Sequence, residues 1–293
     1  MATQIYQASV DGILVGGVYA LMAVGLTLIF GVLDIINIAQ GILVVLGAYL
    51  SYSLSQRLGI DLFVGLLITV PAMFVLGVAI QWAFIRSLRG RERTSMTLLV
   101  TYAMALIIEG VLYRIYGPDD KQLTASYVTS SVHMLGFYLP YIYLYGFGLA
   151  VVLVVALYLL LYRTRFGRSV RATMQDQTAA RLIGIDTSRV AALTFGVGVG
   201  VTAVGGKMFG ATSGGFNPNS GYDLISRLLA IIILGGLGSI GGALAAALVM
   251  TTAESLVDIW SPDWAVVVFY LVLVLVLVFR PAGLFGRSAA RAQ

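Results

Sequence analysis

Long apolar runs separated by short polar joints repeat along this chain, near residues 12–31, 38–56, 62–85, 95–116, 138–162, 190–210, 224–237, 240–257 and 264–279. The runs are continuous and do not alternate in polarity as the strands of a membrane β-barrel would. A helix that crosses a bilayer needs about 20 apolar residues, and several of the runs meet that length. Two look different. The run from Ile38 follows Asn37 and contains Gln40, Gly41 and Gly47. The run over 224–237 is short and leads into Gly235-Gly236-Leu237-Gly238-Ser239-Ile240-Gly241-Gly242. Interrupted segments are tolerated in a membrane only where protein or a water-filled cavity covers the backbone. The pattern predicts an all-α polytopic membrane protein with eight or nine spans, two of them interrupted, forming a single transmembrane domain over 1–293.

The stretch from Arg163 to Val190 breaks the pattern. It carries Arg163, Arg165, Arg168, Arg171, Asp176, Arg181, Asp186 and Arg189, and each charge at a bilayer centre would cost about 2.5–3.5 kcal/mol. It therefore lies outside the lipid core. Between Gly167 and Gly184 there is no proline, and Val170, Met174, Ala179, Leu182 and Ile183 can share one broad face. The spacing predicts a short amphipathic helix at the membrane surface.

Basic residues set the orientation. Arg86, Arg89, Arg91 and Arg93 occupy one loop, six arginines lie within 163–190, and Arg280, Arg287 and Arg291 form the tail. The intervening loops carry Asp61, Asp119, Asp120, Asp223, Asp258 and Asp263. The positive-inside rule places the arginine loops in the cytoplasm, with the N-terminus outside and the C-terminus inside. That needs an odd number of crossings and favours nine. The longest external loop is then 117–137.

Composition narrows the function. Only 11% of residues are charged and 59% are hydrophobic, whereas soluble domains carry about a quarter of their residues as charges. The net charge of +5 resides in inter-span loops and does not indicate nucleic-acid binding. With no cysteine, disulfides and thiolate metal sites are excluded. His133 stands alone in the external loop, no metal site is expected, and no nucleophile with a base at recognisable spacing suggests catalysis. Gly236-Leu-Gly-Ser-Ile-Gly241 fits a dinucleotide fingerprint in letters only, since no strand precedes it. Its glycines suit a tight reversal and close helix approach. Gly206-Lys207 is not a phosphate loop, because Val201 and Met208 replace the required glycine and hydroxyl residue. Small residues four apart recur at Gly12, Gly16 and Ala20, at Gly196 and Gly200, and at Gly242 and Ala246, as in close-packed membrane helices.

Ionisable residues inside apolar runs are functional candidates because burying them is expensive. Lys207, Arg227 and Glu254 are candidates for a substrate route. Glu109 and Arg114 sit near the outer end of their span, where snorkelling accounts for them. Asn37 and Gln40, at the start of a broken helix, are the neutral candidates for contacts along that route.

Three motifs together resemble a known family. Gly25-Leu-Thr-Leu-Ile-Phe-Gly31, Ile36-Asn37-Ile38-Ala39-Gln40-Gly41 and Leu46-Gly47-Ala48-Tyr49 are similar to the N-terminal signature of LivH-type permeases, membrane subunits of branched-chain amino-acid ABC importers. Gly167-Arg168, Arg171-Ala172, Asp176, Ala179-Ala180 and Leu182-Ile183-Gly184-Ile185 are similar to that family's cytoplasmic coupling loop. Asn217-Pro218, Leu234 to Gly242 and Ala253-Glu254 are similar to its C-terminal half. The resemblance implies a permease of the bacterial inner membrane that imports a small solute by alternating access. Its implied partners are a second related permease (another gene product or a copy of itself), two cytoplasmic ATPases and a periplasmic binding protein. ATP and Mg would be held by the ATPases, and no cofactor by this chain. The coupling helix, about Val170–Ile183, would dock on an ATPase with Arg168, Arg171, Asp176, Ala179, Ala180, Arg181 and Gly184 in its contact region. Many relatives carry Asn-Phe-Ala-His-Gly where this chain has Asn37-Ile-Ala-Gln40-Gly41, so a neutral amide replaces an imidazole. The solute is expected to be an amino acid, with urea, short amides or aromatic and organic acids as alternatives within the family. An ion-coupled secondary transporter is the rival class.

Overall fold

In the computed structural model, which describes residues 2–88, 93–123, 131–134 and 137–286, the apolar runs become helices gathered around two central ones. From Ile13 onward α1 (Ala2–Leu33) has no polar face, and α8 (Thr187–Thr212) is lined with glycine, alanine and valine. A helix apolar all round is buried by its neighbours. Here α1 packs against α10 (Ile240–Asp258), α8 and α5 (Tyr141–Arg163), and α8 also against α2 (Gln40–Leu58) and α3 (Leu62–Ile80). A π-helical turn over Gln81–Ile85 extends α3. The outer helices α3, α4 (Arg93–Tyr116), α5 and α11 (Pro262–Phe279) expose large apolar side chains such as Leu67, Val75, Ile107, Val152 and Val278. That is the surface a lipid-facing bundle presents.

Among the described residues, seven helices are long and apolar enough to cross a membrane: α1, α3 with its π turn, α4, α5, α8, α10 and α11. The two unusual runs, which become α2 and α9 (Ser220–Gly235), are not in that set. Boundaries differ from the sequence pattern mainly at helix starts: α1 begins at Ala2, not near 12, and α9 at Ser220, not at 224. Polar first turns hide these starts from an apolar-run reading. The loop after α4 holds an antiparallel hairpin, β1 (Ser131–Met134) with β2 (Phe137–Pro140). Residues 124–130, 135 and 136 of that loop fall outside the described set, as do Arg89, Arg91, Arg287 and Arg291.

The surface segment is not one helix. It forms α6 (Arg165–Gln175) and α7 (Gln177–Leu182), broken at Asp176, whose Oδ1 accepts from the amides of Thr178 (2.7 Å) and Ala179 (3.0 Å). An aspartate caps a helix start better than it continues one, so Asp176 ends α6 and begins α7. The expected common face therefore splits. Val170 is buried against the bundle, whereas Leu182 and Ile183 are 85% and 74% exposed.

Small residues decide how closely the central helices meet. α1 and α10 run antiparallel, with Gly12 facing Thr252 and Gly31 facing Gly238. A Cβ on Gly16 would lie 2.6 Å from Thr251 Oγ1 and 3.0 Å from the Leu248 backbone. The turn between α9 and α10 uses Gly236 and Gly238 at φ 95° and 81°, the left-handed region that glycine adopts freely. Gly235 and Gly242 pack backbone to backbone there.

Gly16→Val is expected to destabilise the protein by about 1–3 kcal/mol, the usual cost of overpacking an interior. Gly148→Val, where an added Cβ meets open space, is expected to change little. Thermal unfolding of the purified protein in detergent compares the two, and equal midpoints would contradict the α1–α10 packing.

Candidate functional site

α1 ends at Leu33, and the chain turns back at Asp34 (φ 54°) before α2 starts at Gln40. This break lies inside the bundle: Asn37 and Gln40 are fully buried. Asn37 Nδ2 donates to Gln40 Oε1 at 2.9 Å, Gln40 Nε2 donates to Thr202 Oγ1, and Thr202 donates to the Gly198 carbonyl at 2.8 Å. Gly25 of α1 makes room for this chain of bonds, because a Cβ there would overlap the Thr202 hydroxyl. The two amides do not serve the backbone of the break. That task falls to Thr101 of α4, which accepts from the Ile38 amide at 3.3 Å. Asn37 Oδ1 is left as a buried acceptor with no partner.

The first turn of α2 carries no side-chain cap, and it abuts the first turn of α9 so closely that a Cβ on Gly41 would overlap the Gly221 carbonyl. The positive ends of two helix dipoles thus meet in the interior, an arrangement suited to an anionic or carbonyl group. Beside this junction is a crevice of about 10 Å³ lined by Ile38, Ile42, Glu109, Pro218, Tyr222 and Ile225 among others. That is room for about one water. In this conformation the junction is closed to any solute. Glu109 is 9% exposed and accepts from the Tyr222 hydroxyl at 2.6 Å. Its snorkelling assignment is therefore corrected: α9 covers it, and it ties α4 to the start of α9. Nothing in the linear pattern brought Tyr222 to Glu109.

The remaining candidates do not join one site. Arg227 of α9 and Glu254 of α10 form an ion pair at 2.7 Å, each side chain 19% exposed. The Arg227 guanidinium lies over the rings of Phe269 (5.0 Å) and Tyr19 (5.8 Å), so one cation joins four helices. Lys207 is buried, not placed at an interface. Its amine faces α3, where a Cβ on Gly65 would sit 3.2 Å from Nζ. Among the described residues no three His, Asp or Glu side chains converge as metal ligands would.

At the arginine-rich end, α6 and α7 are fixed on one side and bare on the other. Arg171 stacks over Tyr162 at 4.7 Å, Ala180 is buried, and Gln177 Nε2 donates to the Val32 carbonyl in the last turn of α1 at 3.1 Å. Arg181 Nε donates to Thr187 Oγ1 at 2.8 Å. Arg168 and Ala179 face outward with Leu182 and Ile183. Gly184 has φ 84°, and a Cβ there would meet open space. Backbone conformation, not close packing within the chain, thus requires glycine at this position.

Comparison with known proteins gives consistent matches. The family described as "Branched-chain amino acid transport system / permease component" matches residues 9–277. The permease protein BraD of a high-affinity branched-chain amino acid transport system in Pseudomonas aeruginosa is 29% identical over 96% of this chain and 95% of its own length. LivH, a permease protein of the corresponding system in Salmonella typhimurium, is 29% identical over the same shares. LivM, a permease protein of that organism's system, is 27% identical over 42% of this chain and 29% of its own length.

Arg227→Met would leave Glu254 as an uncompensated interior charge and is expected to destabilise the protein by roughly 3 kcal/mol. Arg227→Met with Glu254→Met is expected to regain most of that loss. Thermal unfolding of the single and double variants tests the pair, and an equally unstable double variant would show that Arg227 acts through its ring contacts.

Proposed function

The chain belongs to the branched-chain amino acid transport permease family, and from that premise we propose that it is a membrane subunit of an ATP-driven importer working by alternating access. The observation that carries the proposal is the tip of α7. Leu182 and Ile183 project from an otherwise charged segment at the arginine-rich end, with Gly184 turning the chain away behind them. Two bare aliphatic side chains at the end of a capped, anchored helix suit the groove of a partner protein. On this reading the arginine-rich end is cytoplasmic, α2 and α9 count as protein-covered crossings, and the chain passes the inner membrane nine times. The partner at α7 is one of two cytoplasmic ATPases, which hold ATP and Mg. A second related permease faces this one, as LivM accompanies LivH in name, and a periplasmic binding protein delivers solute to the opposite end.

The solute is an amino acid by this reading. Asn37, Gln40 and the uncapped start of α2, with the start of α9 beside it, would receive it once α2 and α9 part, offering neutral hydrogen-bonding groups and positive dipole ends to a carboxylate. The work comes from elsewhere. Binding alone shifts a population only by its difference in affinity for two states, so nucleotide-driven closure of the ATPases must move α6 and α7. Gln177 carries that movement to the last turn of α1, next to the break. Lys207 and the Arg227–Glu254 pair then act by holding α8 and α9 in place. The rival reading, a gradient-driven transporter, requires uptake by this chain with no ATPase present.

Reconstitution with the partner subunits tests the proposal. Leu182→Asp with Ile183→Asp is expected to cut binding-protein-stimulated ATP hydrolysis by at least about tenfold, more than 1.4 kcal/mol of docking, while membrane insertion is unchanged. Unaltered hydrolysis would remove the docking assignment. Gln40→Leu is expected to raise the KM for uptake about tenfold through one lost hydrogen bond; unchanged uptake would make Gln40 part of the scaffold.

A further inference from the structure

Behind α7 lies a cavity of about 670 Å³, bounded by the end of α1, the π-helical turn after α3 and the turn between α7 and α8. Its polar lining includes Arg86, Arg181, Gln81, Gln177, Thr187 and Ser188. Asp186 also lines it, but that carboxylate pairs with Arg189 at 2.9 Å and caps α8 through the Ser188 and Arg189 amides. Among the described residues, no carboxylate lies within salt-bridge distance of Arg86 or Arg181. Gln81 is the informative member. It is 3% exposed, and its Oε1 accepts no hydrogen bond. An interior acceptor left without a donor costs about 1–3 kcal/mol, and this one belongs to a π-helical turn, a distortion frequent at functional sites. The cavity thus offers two guanidinium groups to an anion, and Gln81 at its wall keeps a buried acceptor that a small turn of its side chain would present to a hydroxyl.

The surroundings point to the source of such a ligand. On the outward side of the same turn Trp82 and Phe84 are 65% and 50% exposed, and an exposed tryptophan, whose indole has both an apolar body and an N–H, sits at the headgroup level of a bilayer. Above them the apolar side chains of α3, among them Leu67 and Val75, are open to lipid. The positive-inside rule puts this end at the inner leaflet, where acidic lipids attract basic pockets between helices.

We propose that this cavity is a binding site for a hydroxyl-bearing phosphodiester, supplied by the headgroup of an acidic inner-leaflet phospholipid. The phosphate lies between Arg86 and Arg181, and a headgroup hydroxyl donates to Gln81 Oε1. The site goes beyond the transport reading and shares with it only the placement of the arginine-rich end at the inner leaflet. Because α7 and the end of α1 line the same cavity, an occupied site also steadies the segment that carries Leu182 and Ile183.

The full-length chain in nanodiscs of phosphatidylcholine with phosphatidylglycerol, analysed by native mass spectrometry, tests this. Preferential retention of phosphatidylglycerol is expected, falling about tenfold in Arg86→Gln (one charged contact, about 1.4 kcal/mol) and recovering in Arg86→Lys. Gln81→Leu, which keeps both arginines, is expected to lower retention of phosphatidylglycerol but not that of phosphatidylmethanol, a phosphodiester whose headgroup carries no hydroxyl. Thermal midpoints confirm that each variant is folded. Equal retention by wild type and Arg86→Gln overturns the site. Glycerol phosphate binding to the delipidated chain as tightly as the lipid, with the same dependence on Arg86, keeps the phosphate chemistry and overturns the lipid source. Loss of partner ATPases from Arg86→Gln with lipid retention unchanged marks a protein-docking surface and overturns the proposal.

Discussion

A polar group inside a lipid-embedded bundle has no water to turn to, and the arrangement of this chain follows from that constraint. Thr27, Thr202 and Thr251 return their hydroxyl hydrogens to carbonyls one turn back in their own helices. Thr101 satisfies the interrupted backbone at Ile38, and Arg227 and Glu254 cancel each other's charge between α9 and α10. A few buried side-chain atoms stay unpartnered, among them Tyr49 Oη, Ser51 Oγ and Thr194 Oγ1 as well as Asn37 Oδ1 and Gln81 Oε1. The last two belong to residues at the broken helix and at the wall of the cavity behind α7, the two places where a ligand is proposed.

Close packing supplies the mechanical side. Glycines let α1, α8 and α10 approach to backbone contact, and Gly41 and Gly221 do the same for α2 and α9. Packed interiors are close to incompressible, so the α2–α9 junction opens by a shift of whole helices, not by gradual swelling. In the transport reading the contiguous contacts from α7 through Gln177 to Val32 and the break offer a physical route for such a shift.

Much of the architecture was legible in the sequence. Membrane-grade runs, arginine-rich joints and small-residue spacings gave an all-α polytopic bundle, and the two anomalous runs marked α2 and α9. What the sequence obscured was three-dimensional pairing. Glu109 sat near a span end and read as a snorkelling charge, because Tyr222, its partner, lies more than a hundred residues away. Lys207 stood out as a charge in an apolar run, but its own helix gave no sign that Gly65 of α3 leaves room for a buried amine. Asp176 read as one charge on a continuous helix, although aspartate followed by Gln-Thr-Ala is also a cap. Arg227 and Glu254 were singled out separately, and only the fold made them a pair.

The central claim is that a separate nucleotide-driven protein grips this chain at the end of α7. The absence of cysteine allows a direct test. Ile183→Cys, co-expressed with the partner ATPases, is expected to form a crosslink to an ATPase whose yield changes when ATP is added, while Leu67→Cys on the lipid-facing side of α3 is expected to form none. A residue 183 that labels with impermeant reagents from the periplasm, or that never crosslinks to an ATPase, would contradict the account.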